Sequence, residues 1–413
     1  MICFSHAIGN SNSRAALAGL QHYELLSHFF TTVAVFPDSF LDSLSSLPGL
    51  GDFKRRQYTN QIQRYTTTQP MYELIRLLCL KMNFHSLVQH EKGIFSTDKI
   101  IQRLDRKISQ QLLKGSISKI KAVYAYEDGA RETFIAAHQR GLKNFYDLPI
   151  GYWRAALEYL NQEKERWPEW ACTISAFKDS EDKLRRKDEE IELADTIMVA
   201  SSFTASTLEK YPGSSKKIHI IPYGFPNVYE GTRKYYNGLD RKLKLLYVGG
   251  LTQRKGIADI FSVVDSLSDE VTLTIVGQKT TNDCDVLNDC LKNHTYIPSL
   301  PNNQILKLMR SHDVLLFPSL FEGFGLVITE AMSQGMPVIT TNRTAGPDII
   351  QHNKNGWLIE AADTQSLTDA VRFLLDNPNT IEENGRSALD TASKRPWWAY
   401  GRSLAETIIS ELK

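Results

Sequence analysis

Residues 313–348 read DVLLFPSLFEGFGLVITEAMSQGMPVITTNRTAGPD, and the order of apolar runs and breakers here sets the fold. Val314 to Phe317 is a short apolar run closed by Pro318, the pattern of a strand buried in a parallel sheet. Ser319 to Gly325 forms a turn in which Glu322 stands among two aromatics and two glycines. A helix is expected from about Leu326 to Gln334. Gly335 and Pro337 stop it, because glycine suits the position past a helix end and proline cannot continue one. Val338 to Thr341 is the next strand. In this strand–turn–helix–strand unit, Gly323 and Gly325 let backbone approach a ligand closely. The first helical N–H groups, near Phe324, Gly325, Leu326 and Val327, have no intrahelical partner and would suit an anion such as a diphosphate.

Glu322 lies just before that helix. Glu330 lies one turn inside it, on the face of Leu326 and Val327. Two carboxylates thus flank a phosphate-sized site, and both can accept hydrogen bonds from hydroxyls. A nucleotide-sugar, with hydroxyls at both ends and phosphates between, fits that pattern. Taken alone, two glutamates eight residues apart are more often solvated surface acids. In its context, however, PSLFEGFGLVITEAMSQGMPVI resembles the donor-site signature of the family 4 retaining glycosyltransferases, which have the GT-B fold. The resemblance runs from the Pro-Ser through Glu-Gly-Phe-Gly-Leu to the second Glu-Ala and the Gly-x-Pro-Val-Ile.

The chain has 413 residues, enough for two or three domains with full cores. With 42% hydrophobic and 23% charged residues it has the composition of an ordinary globular protein, and a net charge of +1 gives no argument for nucleic acid as a partner. Cys3, Cys79, Cys172, Cys284 and Cys290 show neither a zinc spacing nor a disulfide framework, which points to a reducing, cytoplasmic setting. No apolar run approaches a membrane span, and no signal peptide is evident at the N-terminus.

The N-terminal half reads as a second nucleotide-binding-type α/β unit. Ile2 to Phe4 is a first strand, His6 to Ser13 a small polar loop with Gly9, Arg14 to Leu25 a helix and Thr32 to Phe36 a second strand. In the resembling family this loop lies at the mouth of the cleft between the domains, which makes His6 and Gly9 site candidates. The stretch 101–121 is basic, with Ile101, Leu104, Ile108 and Leu112 at helical spacing. It has two readings, a face for anionic lipid or a solvated face over a packed stripe. Lys54, Arg55 and Arg56 form a second basic cluster open to the same two readings. Ala122 to Tyr126 is a strand, with Glu127 to Ala130 opening a helix. A further strand follows at Asn144 to Leu148. The family often places a histidine near the end of that strand, and Asp147 stands there here. Asp147, Gly151 and Arg154 are therefore candidates. Glu181 to Leu193 reads as a helix, and Thr196 to Ala200 and Ile218 to Ile221 as strands.

In the C-terminal half, Leu243 to Val248 is a buried strand ending at Gly249 and Gly250. It is followed by LTQRKG, whose Arg254 and Lys255 suit a diphosphate by charge and hydrogen bonding. In the family the usual pattern is Gly-Arg, a few residues, then Lys-Gly. Lys255 matches the lysine, Gly250 stands where the arginine usually is, and Arg254 is the candidate replacement. Val271 to Val276 is the next strand. Tyr296 and Ile297 begin a segment that in the family lies near the nucleotide base.

The expected architecture is α/β, with two Rossmann-like doubly wound parallel-sheet domains facing across a cleft. The N-terminal acceptor domain takes residues 1–225, a linker 226–241 and the donor domain 242–392. The resemblance implies that a final helix in 393–413 crosses back to the N-terminal domain, as in GT-B enzymes. The resemblance implies a retaining, metal-independent glycosyltransferase with Glu322, Lys255 and Asp147 at the reacting centre, no cofactor and no metal. Its donor is a nucleotide-sugar. Its acceptor is a glycan or lipid-linked molecule met at the inner membrane face, as in polysaccharide synthesis. Two alternatives are another GT-B enzyme such as a nucleotide-sugar epimerase, and a non-catalytic partner subunit.

Overall fold

The computed structural model describes residues 1–45, 56–174, 178–238 and 241–413. Among these, the first half forms a sheet of β1 (Ile2–Ser5), β2 (Leu26–Thr31), β3 (Thr66–Thr68), β4 (Ala122–Tyr126), β5 (Lys143–Leu148), β6 (Thr196–Val199) and β7 (Lys217–Ile220). The second half forms a sheet of β8 (Leu243–Val248), β9 (Val271–Val276), β10 (Thr295–Ile297), β11 (Val314–Phe317), β12 (Val338–Thr341) and β13 (Trp357–Ile359). The spatial orders are β3-β2-β1-β4-β5-β6-β7 and β10-β9-β8-β11-β12-β13, and all pairings are parallel. Each sheet therefore reverses direction once, between β1 and β4 and between β8 and β11. Loops leaving the carboxyl ends of those strands diverge and leave a crevice, the usual ligand position in open α/β sheets.

The strands at both reversals are mostly apolar and, apart from Lys244, buried on both faces, because helices cover both sides of a parallel sheet. Two segments tie the halves together. The helix Trp153–Arg166 and the turn after it cross onto the second domain, where Trp170 is 3% exposed and stacks on Phe261 with centroids 5.7 Å apart. Arg166 reinforces this with a bidentate pair to Asp259 at 2.7 and 2.8 Å. In the other direction, the helix Trp397–Glu411 lies on the helix Ser11–His22. Gly19 and Gly401 make that contact: a Cβ on Gly19 would sit 2.0 Å from Gly401 O. At the far end Glu411 accepts from Lys217 at 2.6 Å, His219 at 2.9 Å and Lys143 at 3.3 Å.

Several expectations are corrected. The second strand is Leu26–Thr31 rather than Thr32 to Phe36. Ser27 and His28 dilute its apolar pattern, while Val33 and Val35, equally buried, run beyond the sheet with only a bridge from Val35 to Gln57. The first helix begins at Ser11 because Asn10 and Ser13 form a capping box, and it ends at His22. The helix after β4 begins at Arg131, since Asp128 takes a left-handed turn at φ 72°. In the basic stretch, the helix is Thr97–Leu113, and Leu104, Ile108 and Leu112 are buried in the core, so its apolar stripe is packed and not offered to lipid. Of the cluster Lys54, Arg55 and Arg56, the first two lie outside the described residues; Arg56 is buried and paired with Glu73.

Candidate functional site

The loops leaving β8 and β11 lean together at the second sheet's reversal. Gly256 adopts a left-handed φ of 69°, and a Cβ there would lie 2.2 Å from Pro318 O, so glycine is required for the approach. Leu320 N donates to Arg254 O at 2.9 Å, locking one loop to the other. This registers three charges. Lys255 Nζ lies 2.9 Å from Glu322 Oε2 and 5.0 Å from the Phe317 ring centroid. Arg254 Nη1 donates to Phe321 O at 2.5 Å and lies 3.4 Å from the same Glu322 oxygen. Burial works to raise the Glu322 pKa, but Lys255 and then Arg254 outweigh it and hold the group below its ordinary value. Two cations and one carboxylate leave this corner one net positive charge. Gly250, where a side chain would meet open space, accepts from the Tyr247 hydroxyl through its carbonyl at 2.7 Å.

Beyond Glu322 the backbone turns through Gly325 at φ 87° into the helix Leu326–Ser333. The first N–H of this helix to reach a backbone acceptor there is that of Ile328, which donates to Gly325 O at 2.9 Å. Those of Leu326 and Val327, both half-buried, stand ahead of it at the positive end of the helix. Glu330 is half-buried and accepts from Asn302 Nδ2 at 2.8 Å; burial raises its pKa and Asn302 opposes that. Gly323 and Phe324 face the other domain. A Cβ on Gly323 would lie 1.9 Å from Pro149 O, and Gly323 O accepts from Ser201 Oγ at 2.6 Å and Thr204 Oγ1 at 2.9 Å. Gly323 is thus a point of close approach between domains rather than to a ligand. Phe324 is buried against Tyr223, with ring centroids 4.9 Å apart.

On the facing side, the ends of β1 and β4 enclose a cavity of ≈ 180 Å³ bounded by His6, Ile8, Ile101, Leu104, Tyr126 and Glu127. His6 Nδ1 accepts from Gly9 N at 2.7 Å, and the His6 ring meets the Tyr126 ring edge-on at 4.5 Å. That amide bond fixes Nδ1 as the bare nitrogen. Burial, then the charge of Arg14, pushes the His6 pKa down to about 4. Gly9 turns at φ 73° beneath Tyr58. Asp147 is 3% exposed, accepts from the Tyr124 hydroxyl at 2.5 Å, and lies among rings that include Tyr126, Tyr223 and Tyr400. Burial pushes its pKa up to about 7, against the hydrogen bond from Tyr124. It occupies the expected place on β5 but without an open face. Gly151 abuts Phe321, and Arg154 is tied to Asp188 at 2.7 Å. Tyr296 and Ile297 lie on the edge strand β10, with Lys279 over the Tyr296 ring.

Four contributors were not visible in the sequence. Ser201 and Thr204 carry no motif, yet they grip the glycine turn across the domain boundary. Asn302, which orients Glu330, carries no motif. Phe321 fills an interdomain cluster with Phe203 and Leu160. Among the described residues one group of metal-ligand side chains lies close together: His90, Glu91 and Asp179. It shares no residue with this corner, and Lys183 Nζ sits 3.1 Å from Asp179.

The loops just described fall within a recognised family: residues 232–390 match the family model of the group 1 glycosyl transferases. This stretch is similar to the group 1 glycosyl transferases. Both the Lys255–Glu322 corner and the helix Leu326–Ser333 lie inside the matched residues. The chain is 24% identical over 241 residues to the capsular polysaccharide biosynthesis glycosyltransferase CapM of Staphylococcus aureus, a match that takes in 52% of this chain and 62% of that one. Over its length the chain resembles solved glycosyltransferases of the GT-B type. For the sucrose-phosphate synthase of Thermosynechococcus elongatus the TM-score is 0.65 at 14% identity, covering 99% and 98% of the two chains. For HepE of Anabaena, solved with UDP and glucose, it is 0.62 at 15% identity, covering 99% of both. The fold is GT-B, two parallel-sheet α/β domains.

Proposed function

We propose that this chain transfers a sugar, with retention and without a metal, from a nucleotide-sugar to a glycan or lipid-linked acceptor. The Lys255–Glu322 pair beside the open end of the helix Leu326–Ser333, at the second sheet's reversal, carries the proposal. The group 1 match supports it, as does the structure of HepE solved with UDP-glucose. In the reaction the bond from the anomeric carbon to the diphosphate oxygen breaks. The acceptor oxygen bonds to that carbon on the face the diphosphate leaves, and its proton is released. Negative charge develops on the departing diphosphate. Lys255, Arg254 and the amides of Gly325, Leu326 and Val327 stabilise it, and this is where the electrostatic gain of catalysis arises. Glu322, kept ionised by its two cations, accepts from donor-sugar hydroxyls, and Glu330 from the ribose. The acceptor enters from the cavity beside His6, at the inner face of the membrane. Asp147, enclosed by tyrosines, takes no contact with the sugar.

The test is transfer or donor hydrolysis by the purified chain across a panel of UDP- and GDP-sugars. Lys255→Ala is expected to lower turnover by about a hundredfold or more, the scale for losing one such electrostatic group, while leaving binding of the bare nucleoside unchanged. Normal turnover in that variant refutes the phosphate site. Two observations, the glycine at 250 and the enclosed Asp147, favour a second reading as a non-catalytic partner subunit. Nucleotide binding without turnover on any donor would establish it.

A further inference from the structure

We infer that residues 71–94 form a surface that docks on an anionic lipid bilayer. This deepens the membrane contact proposed above and is independent of the donor site. Among the described residues most large apolar side chains are packed, but Met71, Leu78, Met82, Phe84, Leu87 and Ile94 stand exposed within one short segment. Met71 and Leu78, seven residues apart on the helix Pro70–Lys81, share its outer side, whereas Leu74 and Leu77 turn inward onto Val33 and Val35. The helix gives way to a left-handed turn at Asn83, φ 58°, and every residue from Leu80 to Leu87 is exposed. Met82 and Phe84 therefore flank the turn of a projection, where nothing among the described residues covers them.

The charge around the projection selects the occupant. The segment's two acids, Glu73 and Glu91, and Asp98 just beyond it all have partners. Glu73 is held by Arg56 and Arg76, Asp98 by Lys183 at 2.8 Å, and Glu91 accepts from Ser180 N at 2.8 Å. Lys81, Lys92 and Lys99 are exposed and make no ion pair among the described residues. Arg103 braces the base, stacked 4.0 Å over Tyr72 and donating to Ile94 O at 2.7 Å. Exposed apolar tips, with exposed lysines at 81, 92 and 99 in the same stretch of chain, match a bilayer, where the tips enter the acyl boundary and the lysines meet anionic headgroups.

The full chain is sedimented with vesicles of phosphatidylglycerol and phosphatidylcholine in equal parts, and with pure phosphatidylcholine, at low and high salt. Binding to the anionic vesicles that falls with salt is expected. Met82→Asp with Phe84→Asp should lower the partition coefficient about tenfold or more, and Lys81→Glu with Lys92→Glu and Lys99→Glu should remove the salt dependence. Both variants should keep the melting temperature and UDP affinity of the parent, which separates this outcome from failure of the donor site or of folding. No partitioning at low salt overturns the inference, as does unchanged binding by the apolar variant. A lipid-free dimer that Met82→Asp with Phe84→Asp dissolves also overturns it, because the surface then serves a second protein chain.

Discussion

Gly323→Ala tests how the two domains are held. The Cβ it adds would fall 1.9 Å from Pro149 O and 2.7 Å from Ile150 Cα, both backbone atoms that cannot swing aside. The glycine turn must retreat from the first domain, and in doing so it loosens the bonds from Ser201 and Thr204 to Gly323 O at 2.6 and 2.9 Å. Overpacking of this kind costs about 1–3 kcal/mol. Two buried hydrogen bonds add about 0.5–1.5 kcal/mol each. The sum centres near 4 kcal/mol, which for a domain of ordinary size lowers the melting temperature by about 10 °C. Differential scanning calorimetry reads that shift, and small-angle scattering reads the accompanying rise in radius of gyration as the cleft opens. Gly250→Ala, whose Cβ meets open space, is the matched control and should change neither. A Gly323→Ala protein that melts with its parent and scatters identically would refute the interdomain contact.

Glu330→Ala removes the carboxylate that Asn302 orients, and UDP or GDP affinity measured by calorimetry should fall about tenfold, the worth of one hydrogen bond to a charged group. Asp147 has its pKa raised from 3.8 to about 7, chiefly by burial, so the folded state holds a proton that the unfolded state releases in that window. Its contribution is full below pH 3.8, falls as pH rises to about 7 and is flat above. Asp147→Asn, which keeps an acceptor for Tyr124, should flatten that limb of the stability–pH curve in urea titrations. Glu411 has the opposite sign. Its pKa is lowered from 4.5 to about 2, first by Lys217, with His219 and Lys143 adding to it against burial. Its contribution is present above pH 4.5 and lost as pH falls to about 2, and Glu411→Ala should cost about 2 kcal/mol at pH 7 and abolish that acid dependence.

Much of the scaffold around the site is written locally. The apolar run 314–317, the stop at Pro318, the glycines and the breakers at 335 and 337 fix a strand, a turn, a helix and a strand whatever lies elsewhere, because each depends on backbone preferences within a few residues. The loop carrying Lys255 was legible for the same reason. Where the local signal was weak, as at Ser27 and His28 in β2, the strand was misplaced. The basic stretch 101–121 shows a further limit, since an amphipathic pattern states that one face is apolar but not whether protein or lipid covers it. Only docking decided that the stripe faces the core and that 71–94 stays open.

The contacts that give the site its chemistry join residues far apart in the chain. Lys255 meets Glu322, Asn302 meets Glu330, Pro149 meets Gly323, and Trp170 enters the other domain's core. Spacing cannot encode such pairs, because they exist only once two sheets have packed and two helices have crossed between them. Residue type at each position came from the sequence alone; whether a charge is paired, a carboxyl buried or a glycine pressed against a neighbour came from the tertiary structure, where desolvation and close packing act.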